Sequence, residues 1–346
     1  MTGKFFISPS FLVCMVSAVL MAGQSPLSRE YIDCVRDEYK EHFYFMGYKP
    51  LKKFRGVPSI VYVMNSLEGV GCISDIVICG DKAKLESEGS VSDFLKRSKK
   101  SYTIVDQYGS IDDKVLGEFC VFRKNVPECS ISANALKGYV NTAAYDKKGY
   151  ALFIASDSPT TFSDSISGFI STAVKYTPKS SIIFPIVNMQ EKSWSPLLRI
   201  IAHAFHRKYL FLINDTEHRF RNSFKTLLGK RDGFRVSSMV YADPYRVDFN
   251  SINLCYGVRK MFSKDVREKI FTLLSDHKCK YLWDRYFSGK LTVKECEPFV
   301  SSVVCRGSSG ITLLPIKDIS STVDFDGTVE DDKLVESYLA VKTRAR

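Results

Sequence analysis

Residues 195–215, SPLLRIIAHAFHRKYLFLIND, read as one amphipathic helix. Ser195 is a good N-cap and Pro196 fits the first helical position. Leu197, Leu198, Ile201, Phe205 and Leu210 recur at helical spacing and mark a buried face. His203 and His206, three residues apart, share a helix face, and Asp215, Glu217 or His218 stand near enough in sequence to complete a metal set. An HxxH spacing is weak evidence among five histidines. The plainer reading packs His203 in the core and leaves His206 solvated beside Arg207.

Outward from this helix, strands and helices alternate, which implies an α/β fold. β-branched and apolar residues dominate SIVYV (59–63) and SDIVIC (74–79), and the second run, bounded by Gly71 and Gly80, reads as a buried strand. GYALFIASD (149–157) is a continuous apolar strand, and SIIFPIV (181–187) is another, placed at a sheet edge by Pro185. Helices are expected over 132–140 and 263–274. Residues 84–130, polar and lysine-rich, read as a surface insertion.

The first 23 residues read as a removable leader: Lys4 is followed by the apolar run FLVCMVSAVL (11–20) and by the small residues Ala22 and Gly23. No later run approaches the roughly 18 apolar residues of a membrane span. The expected product is secreted and extracellular, with a domain over 24–285 and a C-terminal extension over 286–346. In an oxidising compartment cysteines pair. Cys255 with Cys279 and Cys296 with Cys305 are the expected bridges, and the odd cysteine permits a covalent dimer. The formal charge of +11 suggests an extracellular protein or acidic polysaccharide as partner rather than nucleic acid. Asn214 opens a glycosylation sequon. Nucleophile-elbow, P-loop and Rossmann fingerprints are absent from the sequence.

The order of segments from about 134 to 283 resembles the adamalysin/reprolysin branch of the metzincin zinc proteases. NALKGYVNTAAYDKKGYALFIASD is similar to that family's helix and substrate-binding edge strand. SGFISTAV (167–174) resembles the loop after it. SSMVYADPYR, with Met239, resembles the Met-turn beneath the metal. The resemblance implies a twisted mixed β-sheet, an active-site-type helix, a C-terminal helix and disulfide bonds. It also implies a lost zinc site. His203 keeps a ligand position, while Ala204 stands for the general base and Arg207 and Ile213 stand for the other two ligands. A guanidinium does not ligate zinc, so no catalytic residue and no cofactor are expected. The implied function is that of a catalytically inactive secreted pseudoprotease acting by binding. One alternative is a divergent zinc endopeptidase using His203, His206 and His218. Another is an unrelated secreted, disulfide-bonded binding domain.

Overall fold

The apolar run read as a leader holds the centre of a β-sheet. The computed structural model describes residues 15–23, 48–123, 129–188, 234–253, 281, 293–307, 309–322 and 329–344. Its strands are β1 (Val16–Ala22), β2 (Lys53–Phe54), β3 (Val57–Pro58), β4 (Ile73–Gly80) and β5 (Ser101–Asp106). They continue with β6 (Ala151–Ala155), β7 (Ser180–Asn188), β8 (Phe234–Val236), β9 (Met239–Ala242) and β10 (Gly310–Ile316). The described helices are α1 (Ser59–Glu68), α2 (Lys82–Ser87), α3 (Gly89–Arg97), α4 (Asp113–Glu118) and α5 (Ile131–Tyr139). Four more follow: α6 (Ala143–Asp146), α7 (Ser163–Ala173), α8 (Val293–Val304) and α9 (Val329–Arg344).

The sheet runs β5-β4-β1-β6-β9-β7-β10, with β8 added to β7, while β2 and β3 form a separate hairpin. β1 pairs in parallel with both β4 and β6, and β4 in parallel with β5. β9 runs antiparallel to both β6 and β7. β1 is therefore flanked on both edges and covered on both faces, which requires an unbroken apolar run. Val16, Ala18, Leu20 and Ala22 enter one core with Ile60, Met64 and Leu67 of α1 and Phe169 and Ile170 of α7. Val19 enters the opposite core with Leu136 and Tyr139 of α5 and with Phe119. Each fully buried Leu or Ile contributes about 1.5–3 kcal/mol. α5 lies so close to β1 that a Cβ at Gly138 would collide with the Val19 side chain.

This architecture corrects the metzincin expectation segment by segment. The expected edge strand is β6, an interior strand between β1 and β9. SGFISTAV falls on α7 and the turn of 3-10 helix after it, not on a loop. Met239 opens β9, pairs with Ile154 and is fully buried, so it lies in a strand and not in a turn below a metal. The fold is α/β with a largely parallel sheet, and the pseudoprotease and zinc-endopeptidase readings fall with the family that implied them. SIVYV begins α1, where Ile60, Val63, Met64 and Leu67 are buried at helical spacing. Pro185 does not mark an edge. β7 lies between β10 and β9, and the Pro185 carbonyl accepts from Ser237 N at 2.9 Å, a bond that needs no proline N–H. Within 84–130, β5 pairs with β4 and ends the sheet.

No disulfide joins the described cysteines. Cys305 carries a thiol, held up at about 11 mainly by burial, so the expected Cys296–Cys305 bridge is not formed. Among the described residues no helix is long and apolar enough to cross a membrane.

Candidate functional site

Strand order reverses at β1. The chain passes from β1 to β4 and β5 on one side, then crosses to β6 on the other. In open α/β sheets such a switch point leaves a crevice outside the carboxyl ends of the strands, and ligands bind there. Here those ends carry Gly23 after β1, Asp81 after β4, Asp106 at the end of β5 and Asp157 just beyond β6.

Short side chains and backbone bonds hold these groups in place. Tyr48 donates its hydroxyl to Ala22 O at 2.6 Å and accepts from Asp81 N at 2.8 Å, so one phenol ties the ends of β1 and β4 together. Burial pushes that phenol well above its ordinary value, which keeps it protonated and able to donate. The next residue, Lys49, reaches across the crevice, its Nζ 2.7 Å from Asp157 Oδ2. Both partners keep some exposure, 20% and 27%. The Asp157 loop is pinned from below by α1: Ser59 Oγ donates to Ser156 O at 2.7 Å and Ser66 Oγ to Thr161 O at 2.6 Å.

On the β4–β5 side, Asp81 caps α2, its Oδ1 accepting from Lys84 N at 3.1 Å, and its Oδ2 lies 3.0 Å from Lys84 Nζ. Gln107, buried, donates its N–H to Gly80 O at 2.7 Å and accepts from Lys137 Nζ through its own carbonyl. Lys137 is only 4% exposed, so the ammonium at the floor of this edge is nearly shut off from water. Gly23 faces Asn134 and Gln107 so closely that an added Cβ would strike the Asn134 amide. Glycine is required there by close approach.

Beyond β6 the edge changes character. Thr160 Oγ1 donates to Ser320 O at 2.6 Å, and Ser238 N donates to Ser321 O at 2.8 Å. Ser165 Oγ donates to Asp318 and lies 3.1 Å from Ser320 Oγ. The Ser158, Thr161 and Ser321 hydroxyls are fully buried and have no hydrogen-bond partner.

The opposite, amino end of the sheet carries a cleft of about 360 Å³ lined by Asp75, Ser101, Thr103, Asn141 and Asp146. Asp75 is already satisfied there. Its Oδ1 accepts from Ser17 Oγ and Ser74 Oγ, each at 2.7 Å, and its Oδ2 accepts from Ala143 N at 3.0 Å.

Of the sequence-derived candidates, only Met239, Cys296 and Cys305 fall among the described residues. His203, Ala204, His206, Arg207, Ile213, Asn214, His218, Cys255 and Cys279 lie outside the described residues. Met239 is core, Cys296 falls on α8, and Cys305 follows that helix. Among the described residues no group of three or more His, Cys, Asp or Glu side chains gathers to hold a metal ion. Sequence reasoning missed Tyr48, Lys49, Asp81, Asp106 and Asp157. One signal was present: VICGD, IVD and FIASD are apolar runs that each end on an aspartate, as parallel strands do when their carboxyl ends meet a ligand crevice.

No family model matches the chain, and no curated protein matches its sequence. Among solved structures it is similar to a hypothetical transferase from Thermus thermophilus, with 14% identity, 90% of this chain and 97% of that one covered, and a TM-score of 0.46. It is also similar to a 4-diphosphocytidyl-2C-methyl-D-erythritol synthase from Anaerococcus prevotii, with 10% identity, coverage of 95% and 99%, and a TM-score of 0.39. A third is a CMP:2-keto-3-deoxy-manno-octonic acid synthetase complexed with CTP, with 9% identity, coverage of 96% and 99%, and a TM-score of 0.39.

Proposed function

We propose that the protein is a nucleotidyltransferase-type enzyme that binds a nucleoside triphosphate at the carboxyl edge of its sheet. The observation that carries this reading is the Lys49–Asp157 pair at the switch point. A metal-bound triphosphate needs an ammonium for its phosphate oxygens and a carboxylate for its cation. Here the two neutralise each other across 2.7 Å and stay partly open to solvent. A ligand carrying both charges can exchange with each of them.

With neither a P-loop nor a dinucleotide fingerprint in the sequence, phosphates here depend on side-chain cations rather than on a glycine-rich nest. Lys49 is the cation placed for that role. Transfer at phosphorus asks chiefly for positioning and charge neutralisation, and this edge offers both without a nucleophile of its own. Asp157 suits a hard divalent ion such as Mg²⁺, which is typically held by one or two carboxylates, with phosphates and waters completing its shell. When bound, such an ion supplies neutralisation of the triphosphate charge. Asp157 would hold that ion and Lys49 would orient the phosphates, while Tyr48 fixes the strand ends beneath them and Gly23 lets Asn134 and Gln107 approach the end of β1.

Titration calorimetry of the purified full chain with each nucleoside triphosphate, in Mg²⁺, tests the reading. One or more should bind, and Lys49→Ala should weaken that binding by about tenfold or more, the scale of one charge-assisted contact. A wild-type chain that binds none of them sinks the reading.

A further inference from the structure

α9 contacts the two segments that carry Lys49 and Asp157. On one side Asp332 Oδ2 lies 2.7 Å from Lys52 Nζ, three residues beyond Lys49 on the same short segment, with exposures of 22% and 27%, much like those of the Lys49–Asp157 pair. On the other side the Tyr338 ring stacks on Phe162, five residues beyond Asp157, with centroids 6.3 Å apart and planes 19° from parallel. Val335, Tyr338 and Leu339 bury the inner face of the helix. The last helix of the chain thus grips the Lys49 segment at one point and the Asp157 loop at another.

The surface beneath this grip is not a saturated one. The Asp157 loop and the turn after β10 hold three fully buried hydroxyls, Ser158, Thr161 and Ser321, without hydrogen-bond partners. Burying such a group unpaired is unfavourable. The hydrogen bonding of this part of the carboxyl edge is thus less complete than that of the β1–β4 side, where Tyr48 both donates and accepts. An outside brace has most leverage where the inner bonding is incomplete.

We infer that α9 is a strap, and that Asp332 and Lys52 are a positioning pair which holds Lys49 opposite Asp157. This rests on the carboxyl edge being the nucleotide site. Releasing the strap leaves the sheet and both cores intact but frees the 48–54 segment from the Asp157 loop. Phosphates and cation then meet charges that are no longer in register, and misplacement of this kind costs rate more than binding.

The test is a charge swap in the full chain. Asp332→Lys should lower kcat for nucleotidyl transfer roughly three- to tenfold, with KM for the triphosphate changed by less than about twofold. The double variant Lys52→Asp with Asp332→Lys should restore most of the loss. Asp332→Asn serves in its place if the reversed charge prevents folding. Hydrogen exchange over 48–54 and 156–162 supplies a readout that needs no nucleotide, and protection there should fall in Asp332→Lys and return in the swap. Unchanged kinetics and exchange in Asp332→Lys overturn the strap, as does a loss that the swap leaves unrepaired. Wild-type protein that binds no nucleotide while exchange follows the swap overturns the site reading and leaves the strap standing.

Discussion

Asp75 and Asp157 sit at opposite ends of the same sheet, and their surroundings set them apart. Asp75, at the amino end, accepts from two hydroxyls and one backbone N–H, all contributed by neighbouring β1, β4 and α6. Those partners cannot leave without unmaking the fold. Asp157, at the carboxyl end, faces a single flexible ammonium. Its partner can be exchanged for a ligand without any strand moving. A carboxylate satisfied by the backbone and short hydroxyls is structural, whereas one satisfied by a long, partly exposed cation is available for chemistry.

Substitutions at the two aspartates should separate these roles most sharply. Under the proposed function, Asp157→Asn should reduce nucleotidyl transfer by about 10²-fold, measured as pyrophosphate release, because the charge proposed to face the phosphates and their cation is lost. Asp75→Asn should leave that rate within about twofold, since it acts only through the fold. Equal losses of rate at both positions would erase the distinction.

Stability should rank them the other way. Asp75→Asn places an amide donor where one of three donors had been accepted, and should cost about 1–3 kcal/mol in urea unfolding. Asp157→Asn should cost under about 1 kcal/mol, as expected for a partly exposed ion pair. Tyr48→Phe should fall between, at about 1 kcal/mol, because it strips Ala22 O and Asp81 N of one partner. It should also weaken nucleotide binding, since Lys49 is the next residue. A Tyr48→Phe chain with wild-type stability and affinity would mean that the phenol does not tie the strand ends.

The smallest effect concerns pH. Burial pushes the Cys79 thiol, beneath this edge, from 9.0 to about 12, and the nearby Lys137 ammonium only partly offsets that. A folded value raised above the unfolded one gives stability that is complete below the unfolded value and lost as pH rises through the folded value. Below about pH 8, a unit under the ordinary value of 9.0, Cys79 should therefore leave unfolding free energy unchanged, with a decline that grows as pH rises toward about 12. At pH 8 a thiol reagent should label exposed Cys120 at least about ten times faster than buried Cys79. Similar rates at the two would show that this edge opens readily.

Legibility along the chain followed local physics. β4, β6 and α5 were recognisable because their apolar periods and bounding residues agree with their final state. That Val16–Ala22 forms a strand was not legible, because a buried parallel strand and the apolar core of a leader have the same composition, and periodicity does not divide them. α1 was less legible, because its β-branched opening, SIVYV, competes with the helical spacing of Ile60, Met64 and Leu67. The metzincin likeness rested on segment order, which a helix, a strand and a methionine can satisfy in unrelated sheets. Lys49 and Asp157 lie 108 positions apart, and no local pattern announces a contact across that interval.

By itself the sequence determined the alternation of apolar strands and amphipathic helices, because burial on two faces writes continuous apolar runs and burial on one face writes a helical period. It also placed an aspartate after each of three such runs. Only the tertiary structure decided that β1 lies at the centre, that the runs align in parallel and that their aspartates share one edge. Strand order is set by which faces can be covered at once, a property of the assembled layers that no single segment carries.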